Sequence, residues 1–368
     1  MSRLNLNYRS NIDSNARVNW GRYLIIVATA GFAMVAFAQF LNSYQIFKIG
    51  FDNFRPLLFA FVLWGLAFGY AQVLIRGEAG KRLLFILPAI MYTVACVIFP
   101  TLFGLYIAFS DWNLSSFEKH HFNGFDNIRF LLKDVYFWNS LGNMVWYVLA
   151  VFVQYVIAFG LAMLLNAEIR ARKFFRVAFL MPFMMSPVAV SWMVGKSLME
   201  YRYGPLATIA RFMGWETPAF FATPWVARFS IMGMDAWVSI PFIMILLLAG
   251  LQAVPKETLE AAKVDGAGTF QAFRKIIFPL MLPVSVTAVT LRIIGELKLA
   301  DIVITMTAGG PGGATDTVSS FIYREYRDRS NVGYATMIAE VYLILVIILV
   351  SLMLVGANRI LQKYGDTT

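Results

Sequence analysis

The stretch PKETLEAAKVDGAGTFQAFRKIIFPLMLP occupies residues 255–283 and separates two long apolar runs. Pro255 suits the start of a helix, and Pro279 marks the start of the next apolar run. Gly266 and Gly268 lie where a helix can break and turn. The pattern alone leaves two interpretations open, a helix that lies on lipid or an exposed element that docks into a groove on a partner. Apolar or small residues recur at steps of three and four, which predicts one helical face: Leu259, Ala262, Gly266, Phe270, Phe273 and Ile277.

The composition of the whole chain is typical of an integral membrane protein. Hydrophobic residues make up 59% of the 368 positions and charged residues 14%, whereas soluble domains have about 25% charged residues. A spanning helix needs about 20 mostly apolar residues. The chain is therefore predicted to be an all-α membrane protein with about eight transmembrane helices, at 22–41, 56–75, 83–109, 140–165, 174–198, 227–250, 277–300 and 333–357.

The distribution of basic residues predicts the orientation. The net charge is +10, and 17 Lys and Arg residues fall on the side that holds both termini. The basic residues of the opposite loops are nearly balanced by acidic ones. Because positive residues mark the cytoplasm, both termini and residues 255–279 are predicted to be cytoplasmic. The basic excess is thus a topology signal, and nucleic acid is not expected as a partner.

Several classes of protein are disfavoured by what the sequence lacks. The single cysteine, Cys96, excludes a disulfide framework and a cysteine-based metal site. No phosphate-binding G-x-x-x-x-G-K-[ST] motif is present. We therefore predict no catalytic residue, no metal site and no cofactor in this chain. A membrane enzyme is a weak alternative, and an ion-gradient-driven secondary transporter that uses Asp235, Glu296 and Glu340 is a stronger one.

A longer motif in the same stretch favours one class of membrane protein over the others. Glu260-Ala261-Ala262, three residues, Gly266, nine residues, Ile276 and then Phe278-Pro279 resemble the EAA signature of binding-protein-dependent ABC importer permeases, with Phe278 in place of the usual leucine. The resemblance implies that the segment is a coupling helix that docks on a separate ATPase subunit. The residues it assigns to that contact are Glu260, Ala261, Ala262, Asp265, Gly266 and Ala267.

A second motif resembles the sugar-type members of that family. Residues 307–312 (TAGGPG) and 315–317 (TDT) are similar to their external GGP turn, and residues 333–335 (GYA) to the entry of their last helix. The resemblance covers about 140–357 and implies a six-helix core, with two extra helices as in maltose-type permeases. We therefore divide the chain into an N-terminal segment with the two extra helices (1–80), a helix and an external loop (81–139), the core with the EAA element at 255–279 (140–357), and a cytoplasmic tail (358–368).

The same resemblance assigns the solute path to three helices. Aromatic and polar side chains suit a sugar ring, although Arg292 and Lys298 would also suit an anionic solute. The competing interpretation is that Arg292, Glu296 and Lys298 pair structurally, since residues four apart share a helical face. The positions that the resemblance assigns are Phe183, Ser186, Pro187, Asp235, Val238, Ser239, Phe242, Gly295, Glu296 and Leu299. Arg292 and Lys298 are added to the path because charged residues inside a predicted span indicate function.

The resemblance also implies an assembly. The expected partners are a second, unlike permease subunit, two ATPase subunits that bind ATP and magnesium, and a solute-binding protein outside the membrane. The expected location is the bacterial inner membrane.

Overall fold

A computed structural model describes residues 2–43, 51, 53–116, 121–167 and 169–365, with side chains between residues 15 and 362. The regular secondary structure of the described part is helical, and its β-pairing is limited to isolated bridges such as Ser110 with Phe122. In chain order the helices are α1 Ser2–Ser43, α2 Arg55–Arg76, α3 Glu78–Ala108, α4 Asp126–Lys133, α5 Val135–Asn166, α6 Arg172–Met184, α7 Pro187–Leu198, α8 Pro205–Phe212, α9 Pro224–Ala253, α10 Lys256–Val264, α11 Thr269–Glu296, α12 Asp301–Met306, α13 Val318–Arg327 and α14 Val332–Gly365.

Seven of the described helices are long and apolar enough to cross a membrane, namely α1, α2, α3, α5, α9, α11 and α14. They match seven of the eight predicted runs and confirm an all-α membrane protein. The remaining run, predicted as one helix over 174–198, is two helices instead. The axes of α6 and α7 differ by 99°, so the predicted fifth run is a sharply bent pair of helices rather than one straight helix.

Two prolines account for the bend between α6 and α7. Pro187 disfavours helical backbone at the residue before it, and Ser186 is extended with φ −68° and ψ 141°. Pro182 and Pro187 also lack the N–H groups that would continue the helical hydrogen bonds. The Ser186 hydroxyl then accepts a hydrogen bond from the Ala189 N–H at 3.3 Å and caps α7.

The predicted boundaries of the seventh span also need correction. Helix α11 begins at Thr269, well before the predicted start at 277, and ends at Glu296 rather than 300. A π-helical turn over Phe273–Ile277 precedes Pro279. The missing proline N–H removes one regular hydrogen bond, and a wider turn accommodates that loss without ending the helix.

The chain divides into two compact units, Met1–Phe103 and Gly104–Thr368. In the first unit α2 packs along both α1 and α3. Aromatic rings join α1 to α2, with the Phe32 ring 6.0 Å from that of Trp64. The Trp64 indole N–H also donates to the Thr29 hydroxyl at 3.1 Å. These contacts combine close ring packing with a satisfied indole donor, as an apolar solvent requires.

The second unit is built around α5 and α9. One buried cluster joins α5, α9 and α11 through residues such as Phe159, Leu247 and Met281. Another joins α5, α11, α13 and α14 through Val151 and Ile338. Large apolar side chains on the outer faces of these helices are exposed in the isolated chain, which is the pattern expected of helices that face lipid or a neighbouring subunit.

Gly333, in the first turn of α14, generates a testable prediction because it has no room for a side chain. A Cβ atom there would lie 2.1 Å from the Ser110 carbonyl oxygen, whereas a Cβ at Gly356 on the same helix would meet nothing within 4 Å. Backbone atoms yield little, so Gly333→Ala should destabilise the protein by about 1–3 kcal/mol.

Gly356→Ala is the matched control and should be neutral or slightly stabilising, because alanine is the better helix former. Thermal unfolding of the two purified variants measures the difference. Equal midpoints for Gly333→Ala and wild type would show that the contact between Gly333 and Ser110 is not close.

Candidate functional site

The predicted coupling segment is a short exposed helix between two spanning helices. Helix α10 begins directly after Pro255, as predicted, and ends at Val264. Glu260 and Ala261 are exposed on it, whereas Ala262 is 7% exposed and faces the protein. The small Ala262 lets the helix lie close against the protein, and Glu260 points away from that contact. The arrangement leaves a carboxylate on the outer surface of the element.

The end of α10 requires glycine at one position. Gly266 has φ +77°, a conformation that side chains with a Cβ disfavour. The N–H groups of Asp265 and Ala267 donate to the Ala261 and Ala262 carbonyls at 2.9 Å each, which satisfies two of the carbonyls left free at the helix end. Gly268, by contrast, is extended at φ −67° and ψ 161°, so any residue fits its backbone.

The single helical face predicted over 259–277 is wrong. The turn at Gly266 divides the segment, and Phe270 is 73% exposed while Ala262 is buried. Val264, beside the turn, is 87% exposed. Both side chains are apolar and exposed on the segment that also carries the exposed Glu260, an arrangement that water alone would not favour.

The charged residues of the predicted solute path meet in the protein interior. The Arg292 guanidinium on α11 pairs with Asp235 on α9 and with Glu296 one turn along its own helix. Asp235 is 6% exposed, Arg292 7% and Glu296 1%. The predicted pairing of Arg292 with Glu296 is therefore present, and Asp235 shares the same guanidinium. Lys298 lies outside this cluster, because α11 has ended and its side chain is exposed.

Gln154 on α5 completes the buried cluster, and the sequence analysis did not select it. Its amide N–H donates to Asp235 at 2.9 Å, and its amide oxygen accepts from Arg292 Nε at 3.0 Å. The Ser239 hydroxyl lies 3.3 Å from the other Asp235 oxygen. Three spanning helices are thus joined by polar contacts. A glutamine inside an otherwise apolar run is the sequence signal that could have identified it.

Two of the remaining path residues are aromatic and pack against each other. The rings of Phe183 on α6 and Phe242 on α9 stack at 5.6 Å between centroids and 21° between planes. Phe183 is half exposed. The last turn of α6, which holds Phe183, packs against α9. The other members are exposed or partly exposed in the isolated chain: Ser186, Pro187, Val238, Ser239, Gly295 and Leu299.

The predicted GGP turn is held by side chains of α5 and α9 that the sequence analysis also missed. The Asn143 amide donates to the Gly313 and Asp316 carbonyls at 2.9 Å each. Arg228 donates to the Ala314 carbonyl at 2.6 Å and to Asn143 at 2.8 Å. Side chains from two helices therefore fix the backbone of this loop.

Asp316 anchors the far end of the same loop. Its carboxylate accepts from the Ser320 hydroxyl at 2.8 Å and pairs with Arg324. Burial raises the pKa of Asp316, and the nearby Arg324 only partly offsets that effect. The loop is thus a built element rather than a freely variable connection. Within the described residues, no group of three or more His, Cys, Asp or Glu side chains could hold a metal ion.

Comparison with known proteins agrees with this architecture. The sequence profile of the family described as binding-protein-dependent transport system inner membrane component matches residues 56–362. The trehalose/maltose transport system permease protein MalF of Thermococcus litoralis is 32% identical over 250 residues, which is 68% of this chain and 84% of that protein. The sulfoquinovosyl glycerol transport system permease protein SmoG of Agrobacterium fabrum is 31% identical over 72% of this chain and 87% of that protein.

A solved structure shares the fold. It is a bacterial ABC transporter involved in the import of the acidic polysaccharide alginate, and one of its chains superposes with a TM-score of 0.65 at 21% identity. The superposition covers 75% of this chain and 94% of that one. The profile match extends over most of the chain and includes both α10 and the helices around Arg292. The chain belongs to the family of inner membrane components of binding-protein-dependent transport systems.

Proposed function

We propose that this chain is one of two unlike permease subunits of an ATP-driven importer, and that the imported solute is a sugar or a sugar derivative. The observation that carries the coupling role is the exposed α10, with Glu260 and its glycine turn between two spanning helices. Two cytoplasmic ATPase subunits that bind ATP and magnesium would supply the energy, and a solute-binding protein would deliver the solute from outside. The chain would lie in the inner membrane with both termini in the cytoplasm.

Helix α10 is suited to transmit motion because its neighbours carry the buried charges. Helix α9 ends at Ala253 and holds Asp235, and α11 starts at Thr269 and holds Arg292 and Glu296. Closure of an ATPase dimer can bias the permease only through contacts that differ between its states. A partner that grips α10 would pull on both helices that meet at Arg292.

Two features support a carbohydrate as the solute. The curated relatives named above are permeases for trehalose and maltose and for sulfoquinovosyl glycerol. The stacked Phe183 and Phe242 rings offer flat apolar faces, with the Ser239 hydroxyl on the same side of α9 as Phe242. Binding sites for small molecules commonly combine such apolar walls with a few polar groups.

The buried charges favour a neutral solute at this level of the membrane. The Arg292 guanidinium is shared by two carboxylates and Gln154, so it offers little to an anionic group. The ion-gradient alternative has no support in these contacts, since two of the carboxylates that it would use, Asp235 and Glu296, are paired with Arg292.

The coupling role predicts different effects for the two glycines after α10. Gly266→Ala places a Cβ in the left-handed region at a cost of about 1–2 kcal/mol, which should distort the turn. Gly268→Ala meets no atom within 4 Å and keeps an ordinary backbone. In the reconstituted complex, Gly266→Ala should lower the solute taken up per ATP hydrolysed, whereas Gly268→Ala should match wild type.

Solute uptake and ATP hydrolysis are measured on the same proteoliposomes. Charge reversal by Glu260→Lys should likewise lower the solute taken up per ATP hydrolysed. Wild-type ratios for both Gly266→Ala and Glu260→Lys would refute docking through α10. Co-purification of the ATPase subunits with each variant controls for assembly.

The buried cluster predicts an order of stabilities. Arg292→Gln leaves two buried carboxylates without a cation and should cost about 3–5 kcal/mol, because removal of one partner strands buried charge. Asp235→Asn leaves one guanidinium facing one carboxylate and should cost much less. The unfolding midpoints of the two variants measure these losses of stability. In the double variant, Asp235→Asn should partly restore the stability that Arg292→Gln removes, because one fewer buried carboxylate is left without a cation. If Asp235→Asn were less stable than Arg292→Gln, the ion pairs of Arg292 would not be the dominant stabilising contacts of this cluster.

The aromatic surface predicts a solute effect without a folding effect. Phe242→Leu keeps apolar bulk but removes the flat ring, and should weaken solute binding about threefold to tenfold, the range expected of an aromatic contact. Phe229→Leu on the outer half of the same helix is the control and should leave uptake unchanged. The KM for uptake, measured over a panel of sugars, tests this, and an unchanged KM for every sugar would remove Phe242 from the path.

A further inference from the structure

A second group of charges, at the start of α6, lies outside the predicted coupling and solute-path residues. Arg170, Arg172, Lys173 and Arg176 lie within seven positions. Phe174, between them, is 69% exposed and Phe175 is 41% exposed. Basic and aromatic side chains on one short helix are typical of a segment that lies at a membrane surface. A cytoplasmic position accounts for the number of basic residues here. It does not account for the way in which their side chains are arranged.

Two of these arginines converge on one atom. Orienting the Gln252 amide with its oxygen toward α6 places that oxygen 3.2 Å from an Nη2 atom of Arg172 and 3.2 Å from an Nη2 atom of Arg176. The Nε atoms of both arginines are buried and have no hydrogen-bond acceptor in the described part of the chain. Neither arginine forms an ion pair with a described residue. Glu168 lies outside the described residues.

Within the part of the chain that the structure describes, the two guanidinium groups share one neutral acceptor, so their hydrogen bonding is incomplete. Their like charges repel, and buried donors without acceptors are costly. An anion with several oxygens would satisfy both at once, and the planar fork of arginine matches phosphate especially well. The exposed Phe174 and Phe175 beside the pair would contact the acyl region of a membrane. The geometry therefore favours a phosphate that is attached to a lipid.

We propose that Arg172 and Arg176 bind the phosphate of an anionic phospholipid in the cytoplasmic leaflet. The leaflet assignment rests on the orientation proposed above, and charge complementarity supports the occupant, since that leaflet is anionic and basic sites between spanning helices bind such head groups. The site joins α6 to Gln252, at the cytoplasmic end of α9. Because Gln252 precedes Pro255 by three residues, the bound lipid would brace the base of α10.

The assembled complex in lipid nanodiscs provides the test. Complexes are prepared in phosphatidylcholine with and without phosphatidylglycerol, and retained lipid is identified by native mass spectrometry. The variant Arg172→Gln/Arg176→Gln should retain phosphatidylglycerol about thirtyfold less strongly than wild type, as expected for two basic residues near the surface. Phosphatidylglycerol should also raise coupled uptake in wild type more than in this variant.

The matched control is Arg170→Gln/Lys173→Gln, which removes the same charge from exposed positions of the same segment. It should keep most of the phosphatidylglycerol binding, because neither side chain contacts Gln252 in the described contacts. Arg172→Lys/Arg176→Lys keeps the charge and guards against loss of folding. It should bind lipid more weakly than wild type but more strongly than the glutamine variant.

Three outcomes would overturn the proposal. Equal losses in the two glutamine variants would mean a diffuse basic patch rather than a built site. Unchanged phosphatidylglycerol retention with loss of the ATPase subunits would mean that the arginines contact that partner instead. Unchanged retention with an intact complex would mean that no lipid phosphate binds there. Lipid retention is measured without transport, so its failure is distinguishable from failure of the importer function.

Discussion

The placement of one guanidinium between two carboxylates is the constraint on which the core of this protein depends. Arg292 would be costly in a membrane interior without partners, and its partners come from its own helix and from α9. Gln154 adds α5 to the same contact. Three helices are thereby held at fixed rotations about their axes. The apolar contacts around them specify close packing, whereas the polar contacts specify which faces meet.

The same arrangement connects the interior to the surface. Asp235 lies 18 residues before the end of α9, or about 27 Å along the helix axis at the usual rise. Helix α10 follows directly and then leads into α11, so both helices of the charge cluster are anchored at the same exposed element. The path from the proposed ATPase contact to the proposed solute path is thus a continuous piece of chain, and no separate relay is needed.

Much of the fold could be predicted because lipid imposes simple rules. Long apolar runs led to the helices, and the EAA spacing led to the family. The errors occurred where a local feature competed with the apolar pattern. The run 174–198 is mostly apolar, yet the residue before Pro187 is extended and ends the helix. The helical spacing over 259–277 is regular, yet Gly266 turns the chain and separates Ala262 from Phe270.

The amino-acid sequence by itself determined the number of apolar segments, the position of the short segment between α9 and α11 and the need for glycine at its turn, since these depend on composition and on local backbone chemistry. Only the tertiary structure decided which charges meet. Arg292 is four residues from Glu296, but its distance to Asp235 and Gln154 depends on how three helices pack. The convergence of Arg172 and Arg176 on Gln252 is of the same kind. Contacts between distant segments are set by the summed packing of whole helices, which no short stretch of sequence contains.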